Sequence, residues 1–282
     1  MAEHCMKKGY TPMTVYNRTA SKAQPLVDAG AKLVGSPQEV AKNSDIVFTM
    51  VGYPSDVQNV IAGEKGVLSG LQKGGIVVDL TTSDPGLAQE LDEKAKKMGM
   101  FIVDAPVTGG DVGAKQGTLS VMVGGRKEAV DVVMPLIECF AKTVNHFGEP
   151  GTGQHCKMAN QITIASTMLG MCEGLVYAHK AGLDLQKYLD AIGGGGAGSF
   201  SIKSYAPRIL KRDMEPGFYV EHFVKDLGIA IDASRELDIS LPGLALAQQL
   251  YVSLKANGGA RMGTQALILA LEKINGCELP KY

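Results

Sequence analysis

Two hydrophobic rhythms divide the chain. Up to about residue 147, short apolar runs alternate with amphipathic stretches. Ile46-Val-Phe-Thr-Met-Val51 and Ile76-Val-Val-Asp-Leu80 are near-continuous apolar runs, the pattern of parallel strands covered on both faces. Residues 13–16, 101–104, 119–123 and 143–147 read as further strands. Helices are predicted over 21–29, 85–98 and 127–140, and Ser36-Pro37-Gln38-Glu39 is a capping box with proline at the first helical position. Residues 1–8 read as the tail of a helix closed by Gly9. Strands and helices at this spacing predict an α/β domain.

After Gly151 the period changes and strand signals disappear. Helical patterns cover 154–181, 185–192, 201–210, 223–237, 244–257 and 265–274. In the first of these, Met158, Ile162, Ala165, Leu169, Cys172 and Val176 recur at steps of four and three, so they share one buried face. The Gly193–Gly196 tract reads as a connection between helices, with a ligand loop as the alternative. The expected organisation is an α/β domain over 1–150 and an all-helical domain over 151–282, joined by a long interdomain helix.

Composition narrows the class. With 282 residues, 45% hydrophobic and 20% charged, the chain has the make-up of a folded globular protein. A formal net charge of -1 gives no reason to expect nucleic acid or an anionic membrane as a partner. Five scattered cysteines without a CxxC suggest free thiols, not a disulfide framework or a zinc site. The five histidines show no ligand spacing, so no metal is expected. No apolar run reaches the roughly 18 residues of a membrane span, and residues 1–8 do not read as a signal peptide.

Candidate chemistry gathers in a few stretches. Gly148-Glu-Pro-Gly-Thr-Gly-Gln-His-Cys-Lys157-Met-Ala-Asn160-Gln161 opens with glycines and enters the long helix, so Lys157, Asn160 and Gln161 project close together from its first turns. The alternative is a solvated lysine at a helix start. Ligands of open α/β sheets bind at the carboxyl ends of strands. Three such ends carry small or polar residues: Asn17-Arg18-Thr19, Val51-Gly52-Tyr53 and Thr81-Thr82-Ser83. Arg18 has no acidic sequence neighbour, which favours a 2′-phosphate if a dinucleotide binds; an exposed turn arginine is the other reading. In Asp104-Ala-Pro-Val-Thr108-Gly109-Gly110, glycines open the backbone amides to an anion and Thr108 adds a hydroxyl, which suits a small carboxylate. An ordinary Gly-Gly turn is equally open, and Asp104 reads as structural. Lys225 and Asp226 read as a surface pair.

Taken in order, Val15-Tyr-Asn-Arg-Thr19, Asp79-Leu-Thr-Thr-Ser-Asp-Pro85, Asp104 to Gly110, Gly151 to Gln161 and Phe223-Val-Lys-Asp-Leu227 resemble the β-hydroxyacid dehydrogenase family. The resemblance covers nearly the whole chain and looks nearest to 3-hydroxyisobutyrate dehydrogenase-like proteins. It implies a Rossmann-like dinucleotide-binding domain followed by an all-α domain, in a homodimer or homotetramer. It implies an NADP(H)-dependent oxidoreductase that interconverts a short β-hydroxyacid and its semialdehyde. Tartronate, glyoxylate or succinic semialdehyde reduction is the alternative, and a non-catalytic homologue without cofactor binding is another. Carried over by motif, Lys157 is catalytic, and Thr108, Gly109, Gly110, Asn160 and Gln161 hold the substrate. Asn17, Arg18, Thr19, Val51, Gly52, Asp56, Thr82 and Lys225 line the cofactor, with NADP(H) favoured over NAD(H). A lysine of ordinary pKa, about 10.4, needs burial or a nearby cation to act as a base near neutrality. The family's opening strand and GxGxxG turn have no counterpart before Tyr16. The dinucleotide domain is therefore expected to be N-terminally truncated. The compartment is expected to be cytoplasmic or mitochondrial.

Overall fold

The computed structural model describes residues 1–282. The chain divides into two compact units, Met1–Lys157 and Met158–Tyr282. In chain order the first holds α1 (Ala2–Lys7), β1 (Thr14–Val15), α2 (Gln24–Asp28), β2 (Lys32–Leu33), α3 (Pro37–Ala41), β3 (Ile46–Thr49), α4 (Pro54–Ala62) and β4 (Ile76–Asp79). It continues through α5 (Pro85–Lys97), β5 (Phe101–Asp104), β6 (Val107–Thr108), α6 (Gly110–Gln116), β7 (Leu119–Gly125), α7 (Lys127–Ile137) and β8 (Ala141–Gly148).

Two sheets result. β1 and β2 pair in parallel as a two-stranded sheet of their own. The other sheet has six strands. Its β3, β4 and β5 run parallel, with Thr49, Asp79 and Asp104 level at their carboxyl ends. β7 runs antiparallel to both β5 and β6 and pairs in parallel with β8. All four residues of β4 are buried, as a central strand covered on both faces requires. Val78, Val103, Val123, Val133 and Ile137 form a core on one side with α7. Val47, Val57, Ile61, Leu91, Ala95 and Ile102 form the other with α4 and α5. Each fully buried valine, leucine or isoleucine among them contributes about 1.5–3 kcal/mol.

Local chemistry accounts for the helix starts. Ser36 Oγ accepts the Glu39 amide at 3.2 Å, as its capping-box position predicts, but the Glu39 carboxylate accepts from Gly35 at 3.1 Å instead of from Ser36. Helix α4 begins at Pro54, directly after the Val51-Gly52-Tyr53 strand end. Proline at the first helical position lacks an N–H that the helix would leave unpaired anyway. Helix α6 likewise begins at Gly110, inside what reads as a Gly-Gly turn.

Helix α8 (Thr152–Lys180) starts in the first unit, and its residues from Met158 on belong to the second. The second unit adds α9 (Leu185–Ile192), a π-helical turn over Ser201–Tyr205 leading into α10 (Ala206–Leu210), then α11 (Val220–Glu236), α12 (Pro242–Ala256) and α13 (Leu267–Ile274). Its core is apolar and aromatic: the rings of Phe223 and Tyr251 meet edge to face at 5.0 Å, and the Tyr251 hydroxyl donates to the Thr264 carbonyl at 2.8 Å. The paired hydroxyl lets a large ring be fully buried without an orphaned polar atom. No helix is long and apolar enough to cross a membrane.

Candidate active site

The carboxyl ends of β3, β4 and β5 meet the start of α8, and hydrogen bonds tie them there. Thr49 Oγ1 donates to the Asp79 carboxylate at 2.8 Å, and the Val51 amide donates to Thr81 Oγ1 at 3.0 Å. The Gln154 side chain bridges the next loop, donating to the Thr81 carbonyl at 2.7 Å and accepting the Ser83 amide at 2.9 Å. Asp104, at the end of β5, accepts the amides of Gly151 and Gln154 at 2.7 and 2.8 Å. Helix starts leave amides unpaired, so the Asp104 carboxylate satisfies a real demand at the start of α8, while the Gln154 side chain pairs the loop groups of Thr81 and Ser83.

Lys157 leaves α8 one turn further on. It is 6% exposed, so it is not the solvated lysine that a helix start allows. Its Nζ donates to the Val107 carbonyl at 2.9 Å. Val107 directly precedes Thr108, Gly109 and Gly110, and these glycines take φ of +124° and +65°. Those angles lie where a side chain is strained, which explains two glycines at the bend from β6 into α6. Thr108 is half-buried and the two glycines are exposed. A hydroxyl and open backbone amides beside a buried lysine suit a small anionic or carbonyl group.

Asn17, Arg18 and Thr19 lie at the end of β1. Asn17 Oδ1 accepts the Thr19 amide at 2.9 Å, fixing the turn. Tyr16, Asn17, Arg18, Lys32, Glu39 and Asn43 line an open cleft of about 680 Å³. The Arg18 side chain is 86% exposed, and its guanidinium lies 3.5 Å from the carboxylate of Asp56 in the first turn of α4. Arg18 therefore has an acidic neighbour in space although it has none in sequence. An exposed pair of this kind is worth about 0–1 kcal/mol, so it yields easily to a stronger anion. Two cations, Arg18 and Lys32, on an open cleft fit the phosphate end of a dinucleotide. Val51 and Gly52 follow β3, and half-buried Thr82 lies between buried Thr81 and Ser83.

The second unit holds the remaining candidates. Asn160 Nδ2 donates to Gln161 Oε1 at 2.7 Å, and Gln161 Nε2 donates to Asp226 Oδ2 at 2.5 Å. The Lys225 ammonium lies 2.7 Å from Asp226 Oδ1, an ion pair without hydrogen-bond alignment. Asp226 is 1% exposed, so the surface pair read from sequence is a buried one. The signal was present: Phe223, Asp226, Leu227 and Ala230 fall on one helical stripe, and all four are buried. Gln154 carries no such signal, because an amide next to Gly153 has no spacing that marks it.

Residues 1–148 match the family described as the NAD binding domain of 6-phosphogluconate dehydrogenase. Residues 151–271 match the one described as NAD-binding of NADP-dependent 3-hydroxyisobutyrate dehydrogenase. Among curated relatives, "Probable 3-hydroxyisobutyrate dehydrogenase-like 1, mitochondrial" of Arabidopsis thaliana is 58% identical over 98% of this chain and 82% of its own length. The "2-hydroxy-3-oxopropionate reductase" of Escherichia coli is 37% identical over 89% of this chain and 86% of its own. A solved structure of Mycobacterium tuberculosis 3-hydroxyisobutyrate dehydrogenase with L-serine superposes with a TM-score of 0.86 at 27% identity, covering 95% of this chain and 93% of that one.

Proposed function

We infer, from the premise that this chain belongs to the β-hydroxyacid dehydrogenase family and is an NAD(P)-dependent oxidoreductase acting on a hydroxyl group, that it interconverts a short β-hydroxyacid and its semialdehyde with NADP(H). The observation that carries this reading is the buried Lys157, bonded to the Val107 carbonyl beside the Thr108–Gly109–Gly110 turn.

In this reading Asn17, Arg18 and Thr19 hold the phosphorylated adenosine end of the dinucleotide, and Val51, Gly52, Asp56, Thr82 and Lys225 line the rest. The exposed Arg18 guanidinium supports NADP(H) over NAD(H), as does the NADP-dependent enzyme named for the family matched by residues 151–271. When bound, the nicotinamide supplies or accepts the hydride. The chain does the rest. Thr108 and the amides of Gly109 and Gly110 bind the substrate carboxylate, and Asn160 and Gln161 orient its hydroxyl. Lys157 moves the proton. In reduction its ammonium gives one to the oxygen that becomes the hydroxyl; in oxidation its amine takes that proton away. An ammonium has three N–H donors. The one that Val107 accepts fixes the direction of the others.

The test is steady-state kinetics of the purified chain with NADPH and NADH on the semialdehydes of 3-hydroxyisobutyrate, tartronate and succinate, and on glyoxylate. Reduction of at least one of them, abolished in Lys157→Ala while NADPH still binds, is the expected result. Unchanged turnover in that variant overturns the proton-transfer assignment. The same reading includes a homodimer or homotetramer. Tyr177 and Phe200, 76% and 71% exposed on the second unit, are aromatic surface that a second copy would cover. Light scattering checks it. The mitochondrial name of the Arabidopsis relative supports a mitochondrial location over a cytoplasmic one, and imaging of the tagged protein decides between them.

A further inference from the structure

The side chain of Asp104 closes the first turn of the helix that carries Lys157. One oxygen accepts the Gly151 amide and the other the Gln154 amide, at 2.7 and 2.8 Å. The backbone of β7 and of α8 comes close to it at two glycines. A Cβ on Gly124 would stand 2.6 Å from Asp104 Oδ1, and one on Gly153 would stand 2.8 Å from Oδ2. Only glycine lets β7 and α8 approach the carboxyl group this closely. Three residues further along the chain, the Val107 carbonyl accepts Lys157 Nζ. The segment 104–107 therefore grips α8 twice, at the amides of its first turn and at the lysine one turn on.

We propose that Asp104 is a positioning residue for Lys157: its carboxylate, bonded to the amides of Gly151 and Gln154, sets the phase of the first turn of α8 and so aims Nζ of Lys157 at the Thr108–Gly109–Gly110 turn. This rests on the reading of Lys157 as the proton-transfer group. The device is sensitive to protonation. A carboxylate accepts at both oxygens, whereas a carboxylic acid presents one O–H donor, which cannot pair with an amide N–H. Protonated Asp104 keeps one of its two bonds to the helix and loses the other.

The surroundings place that event near neutrality. Burial pushes the Asp104 carboxyl up, the amides of Gly151, Gln154 and Asp104 itself pull it down, and the neighbouring Asp79 carboxylate pushes it up again, to about 7. Asp79 is its register partner on β4 and the charged side chain that faces it. From β7 it meets Gly124. With Val57 and Ile61 of α4 and Ala88 and Leu91 of α5 it lines a cavity of about 10 Å³. Asp104→Asn is the permanent counterpart of the acid form, because its amide also turns a donor toward one N–H.

The experiment is a cycle of four full-length proteins: wild type, Asp104→Asn, Lys157→Ala and the double variant. Semialdehyde reduction is followed across neutrality. In that direction Lys157 works as the ammonium, so acid does not remove its proton. Wild-type kcat should fall on the acid side with a midpoint near 7. Asp104→Asn should lose about tenfold or more in kcat at alkaline pH, with the KM for NADPH little changed and the acid limb gone. Added to Lys157→Ala, it should cost nothing further, because a residue that acts through the lysine is silent without it. An equal loss in both backgrounds, or unimpaired kcat in Asp104→Asn beside an impaired Lys157→Ala, overturns the positioning role and leaves the function standing. Full activity of Lys157→Ala overturns the proton-transfer assignment on which the proposal rests. If Asp104→Asn does not fold, the wild type still decides: the amide proton resonances of Gly151 and Gln154 should move together with a midpoint near 7, and the absence of a shared step overturns the proposal.

Discussion

The ammonium of Lys157 donates to the carbonyl of Val107 at 2.9 Å, across 50 residues of sequence. That bond places a buried cation beside a threonine and two glycines with left-handed backbone. Positioned acid–base groups contribute about 10²–10⁴ in rate. Lys157→Ala is therefore expected to lose at least about a hundredfold in kcat, with NADPH affinity near wild type. Lys157→Arg should fare no better, since a guanidinium of pKa above about 12 does not exchange a proton near neutrality. Rapid-quench turnover together with fluorescence titration of NADPH separates chemistry from binding.

Cofactor choice should follow Arg18. A hydrogen bond to a charged group is worth about 1.5–3 kcal/mol, so Arg18→Ala should lower the NADPH-over-NADH ratio of kcat/KM by roughly ten- to a hundredfold. Asp56→Asn removes the carboxylate 3.5 Å from the guanidinium. It should tighten NADPH and change the urea midpoint little, as befits an exposed pair. Equal kcat/KM for the two cofactors in the parent would remove Arg18 from the account.

Asp226 should be a stability residue of the second unit. Its carboxylate receives the Gln161 amide and lies against the Lys225 ammonium, and the three side chains are largely buried. Removing one member of a buried charged pair costs roughly 3–5 kcal/mol. Asp226→Ala should approach that cost in urea denaturation, and Asp226→Asn, which keeps an acceptor for Gln161, should lose less. A midpoint unchanged in Asp226→Ala would show that the network holds nothing together.

Stability should depend on pH through Asp104. Its carboxyl titrates at about 7 in the folded chain and near about 3.9 when unfolded. The native state thus holds a proton that the unfolded state has released. The contribution is full below the unfolded value and is lost as pH rises through the folded one. Relative to Asp104→Asn, which has no such proton, wild-type stability should decline from about pH 4 to about pH 7, by the order of a few kcal/mol, and then level off. Paired denaturation curves at several pH values measure the difference directly.

Much of this protein is legible along the chain. The apolar runs at 46–51 and 76–80 became β3 and β4; β4 is buried along its length, whereas β3, at the edge of its sheet, alternates half-buried and buried residues. The four-and-three spacing from Met158 to Val176 became the packed face of α8. Asn17, Arg18, Thr108 and Lys157 stand in recognisable order along the sequence. These features are local: period, caps and motif order follow from neighbours a few residues apart. Tertiary structure decided what depends on distant neighbours. It turned β7 antiparallel, left β1 and β2 as a sheet of their own, buried Asp226, set Asp56 beside Arg18 and pressed Asp104 onto the amides of α8. Charge and proton affinity are set by desolvation and by groups brought near through the fold. For that reason a sequence can name a lysine and an aspartate, while only the folded chain determines which oxygen the one donates to and the pH at which the other gives up its proton.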